Sequence, residues 1–348
     1  MNPLFAERRT KTAEILASFT ASLEKHLGED AERVVGDHTT VYATGSGGRG
    51  EMSDASDLDL FLVRKSGAPS KLDAVVLQSA ILRATRECGI EEPSADGLFL
   101  EMHSADEFAN MLGNAQDDAQ NKFTARMLLL LESKAVLGTN AYDEVIDRMI
   151  QCYWGRPAAA HPGDFIPFAF VNDVVRYWRV ILLNHEDRLR TKDAELEADG
   201  LGVEERTERM KTERYIRSFK LRFARALTCF SAPAYLLAVS AGKEHVSVGE
   251  MKAMITTAPL ERLTRAAELA DSDQVRTLVD EMHELYADFL EQSAYKKSEL
   301  RGKFGDPDYA RAMARKGNEF GDKMFQLLTA LGTTTRGSPR RLYRYMLV

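Results

Sequence analysis

Two short apolar segments near the start of the chain flank a glycine-rich stretch, and their patterns differ. Residues 39–44 (TTVYAT) are mostly β-branched or aromatic, which is typical of a buried strand. Residues 57–63 (DLDLFLV) alternate acids with leucines. Because successive side chains on a strand point to opposite faces, Asp57 and Asp59 leave one face while Leu58 and Leu60 enter the core. The pattern predicts two strands connected through glycines, with paired acids on one face.

Two neighbouring carboxylates on one face repel each other unless a cation lies between them. Mg²⁺ prefers carboxylates together with water and substrate phosphates, so Asp57 and Asp59 are candidate ligands for Mg²⁺, or Mn²⁺, that also holds a triphosphate. With a second ion, one metal would activate an attacking hydroxyl and the other would stabilise a leaving pyrophosphate. These two acids are therefore the first candidate catalytic and metal-binding residues.

The stretch between the strands begins with residues 45–50 (GSGGRG). Glycines permit close approaches that side chains would block, and their N–H groups can surround phosphate oxygens. The Ser46 hydroxyl can join them, and Arg49 can add positive charge. A surface hairpin with solvated acids, or a calcium-binding loop, would explain either half alone. The combination of strand, Gly45-Ser46, spacer and Asp-x-Asp within an apolar strand favours nucleotide binding.

Residues 44–63 resemble the signature of the DNA polymerase β-type nucleotidyltransferase superfamily, with a core motif over 39–103. In particular, Gly48-Arg49-Gly50-Glu51 with Ser56-Asp57-Leu58-Asp59-Leu60 resembles the N-terminal domain of PII-protein uridylyltransferases. The resemblance implies nucleotide binding by Gly45 and Ser46 and metal ligation by Asp57 and Asp59, with Arg49 and Ser56 as further nucleotide-binding candidates. No His-Asp pair of the metal phosphohydrolase type follows, so a deuridylylating half is not expected.

The superfamily usually adds a third carboxylate from a neighbouring strand, which implies a base for the incoming hydroxyl. Residues 97–103 have the pattern of a third strand, and Glu101 lies inside it between hydrophobic residues. Asp96 comes just before Gly97, where uncharacterised bacterial nucleotidyltransferase-domain proteins favour an Asp-Gly. Strand alternation does not decide between Asp96, which is slightly favoured, and Glu101.

The order of elements indicates two domains. Helical spacing at 3–27 and 71–88 surrounds the strands, whereas beyond about residue 115 the periodicity is helical and no convincing strand follows. The charged residues 193–209 are predicted to be a surface loop between helices. We therefore expect an α+β fold, with a small mixed-sheet nucleotidyltransferase domain over 1–160 and an all-helical domain over 161–348.

A basic helix lies inside the expected helical domain. Arg214, Arg217 and Arg225 share one side of it, and Lys220 and Arg222 are candidates for binding nucleotide phosphates. The alternatives are contacts to an RNA backbone or a solvated basic face without a ligand.

Composition narrows the function. The net charge is −7, whereas proteins that coat double-stranded DNA are usually basic, so that partner is not expected. Three scattered cysteines and the lack of an apolar run of about 20 residues predict a cytoplasmic protein outside the membrane. The resulting hypothesis is a metal-dependent enzyme that transfers NMP from an NTP to a hydroxyl of a protein, an RNA or a small molecule. The alternative is a non-catalytic nucleotide- or partner-binding protein, such as a toxin–antitoxin or regulatory component.

Overall fold

The computed structural model describes residues 2–91, 100–117, 121–154, 165–243, 245–333 and 338–347. The chain divides into two compact units, one made of residues 1–167 and 244–261 and the other of residues 168–243 and 262–348. Within the described ranges, no helix combines the length and apolar character needed to cross a membrane.

The first unit contains a four-stranded mixed sheet. Its strands are β1 (Thr39–Thr44), β2 (Asp59–Arg64), β3 (Met102–Ser104) and β4 (Lys134–Leu137). The spatial order is β3-β2-β1-β4, in which β1 pairs antiparallel with both β2 and β4, and β3 runs parallel to β2. Its helices are α1 (Pro3–Leu27), α2 (Ala31–Val34), α3 (Gly45–Arg49), α4 (Lys71–Glu87), α5 (Ala105–Met111), α6 (Lys122–Glu132), α7 (Thr139–Trp154) and α11 (Val248–Thr256).

Both faces of the sheet are buried. On one face, apolar side chains of α1 and α4 form a core with the inward residues of β1 and β2: Phe19, Leu23, Val41, Leu60, Leu62, Leu77 and Ile81. On the other face, Tyr42 stacks on Phe61 with ring centroids 5.6 Å apart and donates a hydrogen bond to the carbonyl of Ala125 in α6 (3.0 Å). The expected α+β class is therefore observed as a mostly helical molecule with one small mixed sheet.

The second unit consists of helices. They are α8 (Phe168–Ala198), α9 (Val203–Lys220), α10 (Ala226–Val239), α13 (Asp273–Ser293), α14 (Lys297–Gly305), α15 (Pro307–Thr333) and α16 (Ser338–Leu347), while α12 (Pro259–Ala270) contains the boundary between the units. A five-residue π-helical turn, Leu221–Arg225, connects α9 to α10. An aromatic cluster that includes Phe219, Phe223 and Phe289 is buried in this unit.

Three sequence expectations are wrong in detail. The strand β4 was not expected, because its four residues are too short for a periodic pattern and follow directly on the apolar helix α6. The charged residues 193–209 are mostly helical, since α8 continues to Ala198 and α9 already begins at Val203. Their charges pair along the helices, as in Lys192–Glu195 (2.8 Å) and Arg209–Glu205 (2.8 Å), which favours helix over loop. The glycine-rich stretch itself is a short helix, α3, rather than an irregular turn.

Candidate functional site

The glycine-rich segment and Asp59 meet where β1 ends and β2 begins. Thr44, the last residue of β1, is the ladder partner of Asp59, the first residue of β2. Gly45 follows Thr44 with a φ of +61°, and a Cβ added there would lie 2.9 Å from Oδ2 of Asp59. Gly45 is therefore needed both for its left-handed backbone and for the close approach of this carboxylate.

The two acids stay accessible while their neighbours are buried. Leu58 and Leu60 keep only 4% and 2% of their surface and belong to the core beneath the sheet. Asp57 is exposed and Asp59 is half-buried. The ladder begins only at Asp59, two residues later than predicted, because β1 has turned into α3 and offers no partner further on. Alternation of buried and accessible side chains nevertheless continues through Leu58.

The glycine segment is pressed against the end of α6. A Cβ at Gly48 would overlap the backbone carbonyl of Glu132, the last residue of α6, and would lie 2.9 Å from the carbonyl oxygen of Ala43. The Oε1 of Glu132 accepts a hydrogen bond from the amide of Gly45 (3.2 Å). Glycine at 45 and 48 thus allows the segment to lie between a strand end and a helix end.

Arg49 was expected to add positive charge to a phosphate site, but its side chain is buried between two carboxylates. Its Nε is 2.7 Å from Glu51 and its Nη1 is 2.6 Å from Glu132, whose side chain is fully buried. Only 7% of the Arg49 side chain is exposed. Because two carboxylates already neutralise the guanidinium, we assign Arg49 to holding the glycine segment against α6 rather than to phosphate binding.

Sequence reasoning missed Glu132, which joins Arg49 and Gly45 in one buried network. The signal was present as the single acid at the end of an otherwise apolar run, MLLLLE. A buried carboxylate needs a cation or hydrogen-bond donors, so its position alone predicts a partner. The identity of that partner, more than 80 residues earlier in the chain, is set by the fold.

Helix α1 fastens the loop between the glycines and the acids. The amide of Met52 donates to Oγ1 of Thr12 (2.9 Å), and Lys11 forms an ion pair with Asp54 (2.6 Å) that lowers the pKa of this carboxyl below its usual value. Within the loop, the amide of Ser53 donates to the hydroxyl of Ser56 (2.9 Å). Ser56 is thereby held directly before the acid pair.

Ser46 is the polar side chain of the glycine segment that faces partly outward. It is half-buried, and in the portion of the chain that the structure describes its hydroxyl has no hydrogen-bond partner. Its backbone carbonyl accepts the amide of Glu51 (2.8 Å), which closes the end of α3. The hydroxyl is therefore available to a ligand.

The two candidates for the third carboxylate are placed unequally. Glu101 is exposed and lies one residue before β3, whose first residue, Met102, pairs with Leu62 of β2. Asp96 lies outside the described residues. Within the described ranges, no three His, Cys, Asp or Glu side chains come together as a metal site.

The two cations expected to bind nucleotide lie in the second unit. Lys220 is exposed at the end of α9, and Arg222 is half-buried in the π-helical turn, where its Nη1 donates to the carbonyl of Ala314 (3.2 Å). No protein-family model matches the chain, and no curated protein matches it either.

Proposed function

We propose that this chain is a nucleotidyltransferase of the DNA polymerase β type, which moves NMP from an NTP to an acceptor hydroxyl. The observation that carries the proposal is the contact between the Asp59 carboxylate and Gly45. It is the approach that the proposal needs, because the glycine segment would hold the phosphates and Asp59, with Asp57 two residues before it, would hold the metal. A hairpin with merely solvated acids would need neither the close approach at Gly45 nor the buried network behind it.

The donor set fits a hard divalent cation. Mg²⁺ is commonly bound by one or two carboxylates, with water and substrate phosphates completing its octahedron, and Mn²⁺ takes the same ligands. Asp57 and Asp59 would hold such an ion, which when bound would withdraw charge from the phosphates and favour ionisation of the acceptor hydroxyl. Asp96 or Glu101 would supply the third carboxylate.

The protein's own groups would bind and orient the triphosphate. The Ser46 hydroxyl would donate a hydrogen bond to a phosphate oxygen, beside the backbone of Gly45. Arg49 and Glu132 hold that segment before any ligand arrives. Donors fixed in advance need no reorganisation as charge develops on the phosphate, which is the main source of electrostatic catalysis.

In the reaction, the acceptor oxygen forms a bond to the α-phosphorus while the bond from that phosphorus to the bridging oxygen breaks. Pyrophosphate leaves with that electron pair, and the hydroxyl proton passes to the carboxylate of Asp96 or Glu101. The acceptor is a hydroxyl of a protein, an RNA or a small molecule.

The test is incubation of the protein with each α-labelled NTP, Mg²⁺ and cell lysate. We expect label to be transferred by the wild type and by Glu144→Gln, which removes an exposed acid of α7. The Asp57→Asn/Asp59→Asn double variant should lose transfer by at least about a hundredfold, because the metal ligands would be gone. Its far-UV circular dichroism should stay unchanged, since neither acid is part of the core.

Label transferred equally by the double variant would refute the proposal. Metal-dependent NTP binding without turnover in any arm would instead favour the non-catalytic alternative. The class of labelled product identifies the acceptor, and an RNA acceptor would also show binding that weakens steeply with salt.

A further inference from the structure

The cations of α9 differ between its two halves. In the first half they are paired with acids: Arg206 with Glu197 (2.9 Å), Arg209 with Glu205 (2.8 Å) and Lys211 with Glu208 (2.6 Å). Residues 214–227 (RYIRSFKLRFARAL) contain no acid at all. Among the described residues, Arg214, Arg217, Lys220 and Arg222 form no ion pair. In a chain of net charge −7, this is a local excess of uncompensated positive charge.

The π-helical turn affects where Arg222 points. Arg214 and Arg217 are three residues apart and share a face of α9. In a regular α-helix, a residue five positions after Arg217 would lie about 140° around the axis. The π turn at Leu221–Arg225 has a wider repeat, so Arg222 lies slightly less far around the axis than it would in a regular helix. Such turns are frequent at functional sites.

Arg222 is also held in place by α15. Its Nη1 donates to the carbonyl of Ala314, and a Cβ at Gly317 would lie 3.0 Å from its Cδ. Glycine at 317 therefore leaves room for the arginine stem. A side chain fixed in this way loses little further entropy when it binds a ligand.

Arg217 carries the clearest sign of a missing partner. Its Nε is buried, and within the described part of the chain it has no hydrogen-bond acceptor. Leaving a buried charged donor unsatisfied costs more free energy than leaving a neutral one unsatisfied. A solvated basic face would explain exposed guanidinium groups but not this enclosed N–H.

His185 on α8 is close enough to the same three arginines for their charges to act on it. α8 packs against α9. Burial lowers the pKa of His185; the negative charge of Glu186 opposes this shift, and the positive charges of Arg217, Arg214 and Arg222 add to it. Cations on two successive segments thus act on one place beside α8.

We propose that Arg214, Arg217 and Arg222 form a binding site for a phosphate or pyrophosphate group beside His185 in the second unit. Guanidinium groups suit this ligand because their planar donors match phosphate oxygens in pairs, and a rotation of the Arg217 side chain would bring its buried Nε to the bound oxygens. The anion is either free in solution or part of a nucleotide. Binding at this site does not depend on Asp57 or Asp59.

The test uses the full-length Asp57→Asn/Asp59→Asn variant in EDTA, so that binding at the proposed catalytic centre does not contribute. Inorganic pyrophosphate is titrated by calorimetry, and the ring signals of His185 are followed by NMR. We expect binding at micromolar to millimolar concentration and a rise in the pKa of His185, because a bound anion favours the imidazolium. Arg217→Gln should weaken binding at least tenfold, while Arg209→Gln, on the same helix but paired with Glu205, should leave it unchanged.

Arg217→Lys keeps the charge but loses the paired donors, so its affinity for pyrophosphate should lie between those of Arg217→Gln and Arg209→Gln. It also serves as the test variant if Arg217→Gln does not fold. ATP and adenosine, each without metal, distinguish the two sources of the anion. If the site binds a nucleotide, ATP should bind more tightly than pyrophosphate; if it binds a free anion, pyrophosphate should bind at least as tightly as ATP. Adenosine should not bind in either case. Absence of pyrophosphate binding, or equal binding by the Arg217 and Arg209 variants, overturns the proposal. Transfer of label by the wild-type enzyme is measured separately, so failure of one proposal leaves the other standing.

Discussion

At the scale of single residues, Gly45 links the backbone to the candidate chemistry. Its positive φ explains why a glycine is present, and its contact with Oδ2 of Asp59 explains why this glycine matters to the site. Gly67 also has a positive φ (+75°) but has no atom within 4 Å of an added Cβ. Substitutions at the two glycines therefore distinguish the effect of backbone strain, which both would cause, from the effect of displacing the Asp59 carboxylate, which only a substitution at Gly45 would cause.

We expect Gly45→Ala and Gly67→Ala to lower the free energy of unfolding by similar amounts, about 1 kcal/mol each, because both place alanine in the left-handed region. Only Gly45→Ala should lose nucleotidyl transfer, by roughly a hundredfold, since the Asp59 carboxylate must move away from the new methyl group. Urea unfolding and the labelling rate measure the two effects. Equal activity of both variants would show that the position of Asp59 is unimportant.

At the scale of elements, the end of α6 positions the segment after β1. Glu132 contacts Gly45 through one carboxylate oxygen and Arg49 through the other, and its side chain is fully buried. The strand β4 begins two residues later and pairs with β1 on the side away from β2. The helix end and the edge strand together fix the direction in which the chain leaves β1.

Glu132→Gln should destabilise the first unit by about 2 kcal/mol, because both carboxylate oxygens accept hydrogen bonds and the NH2 of glutamine would face one of the two buried donors, the Gly45 amide or the Arg49 guanidinium. The matched control is Glu144→Gln, which breaks the solvent-exposed pair between Lys65 and Glu144 (2.9 Å) and should cost less than about 1 kcal/mol. Urea midpoints of the two variants give the comparison. A midpoint for Glu132→Gln no lower than that of Glu144→Gln would mean that the network does not hold the segment.

At the scale of the whole molecule, the first unit recruits a distant part of the chain. The amide of Val246 donates to the carbonyl of Phe165 (2.8 Å), and Lys252 of α11 pairs with Asp147 of α7 (2.8 Å). Met251, Met254 and Ile255 of α11 are buried. The two units are therefore not divided at a single point near residue 160, because residues 244–261 belong to the unit that contains the sheet.

Residues 1–167 expressed alone should therefore be less stable than the same residues joined to 244–261 by a short Gly/Ser linker. The linker can be short because Phe165 and Val246 are already hydrogen-bonded. We expect the joined protein to melt at least about 5 °C higher, since burial of three apolar side chains contributes several kcal/mol. The measurement is thermal unfolding by circular dichroism. Equal melting temperatures would show that α11 adds nothing to the unit.

Local patterns were enough to predict α1, β1 and α4, as well as the alternation of the accessible Asp57 and Asp59 with buried leucines. Each depends on a period of two or of 3.6 residues, which the chain carries in its own order. The strand β4 was not predicted, because four residues are too few to show a two-residue period. The extension of α8 and the early start of α9 were not predicted, because a segment rich in charged residues resembles a loop. Only the pairing of those charges three and four residues apart indicates a helix.

Residue order alone was sufficient for the alternation from Asp57 to Leu62, because a strand's pleat sends neighbouring side chains to opposite faces wherever it forms. It could not show that Glu132 neutralises Arg49, that Asp59 lies against Gly45, or that α11 joins the first unit. Those contacts bridge residues that are far apart in the chain, and no local period encodes them. They arise only when the sheet and its helices pack, since packing decides which buried charges and which bare backbone come within reach of each other.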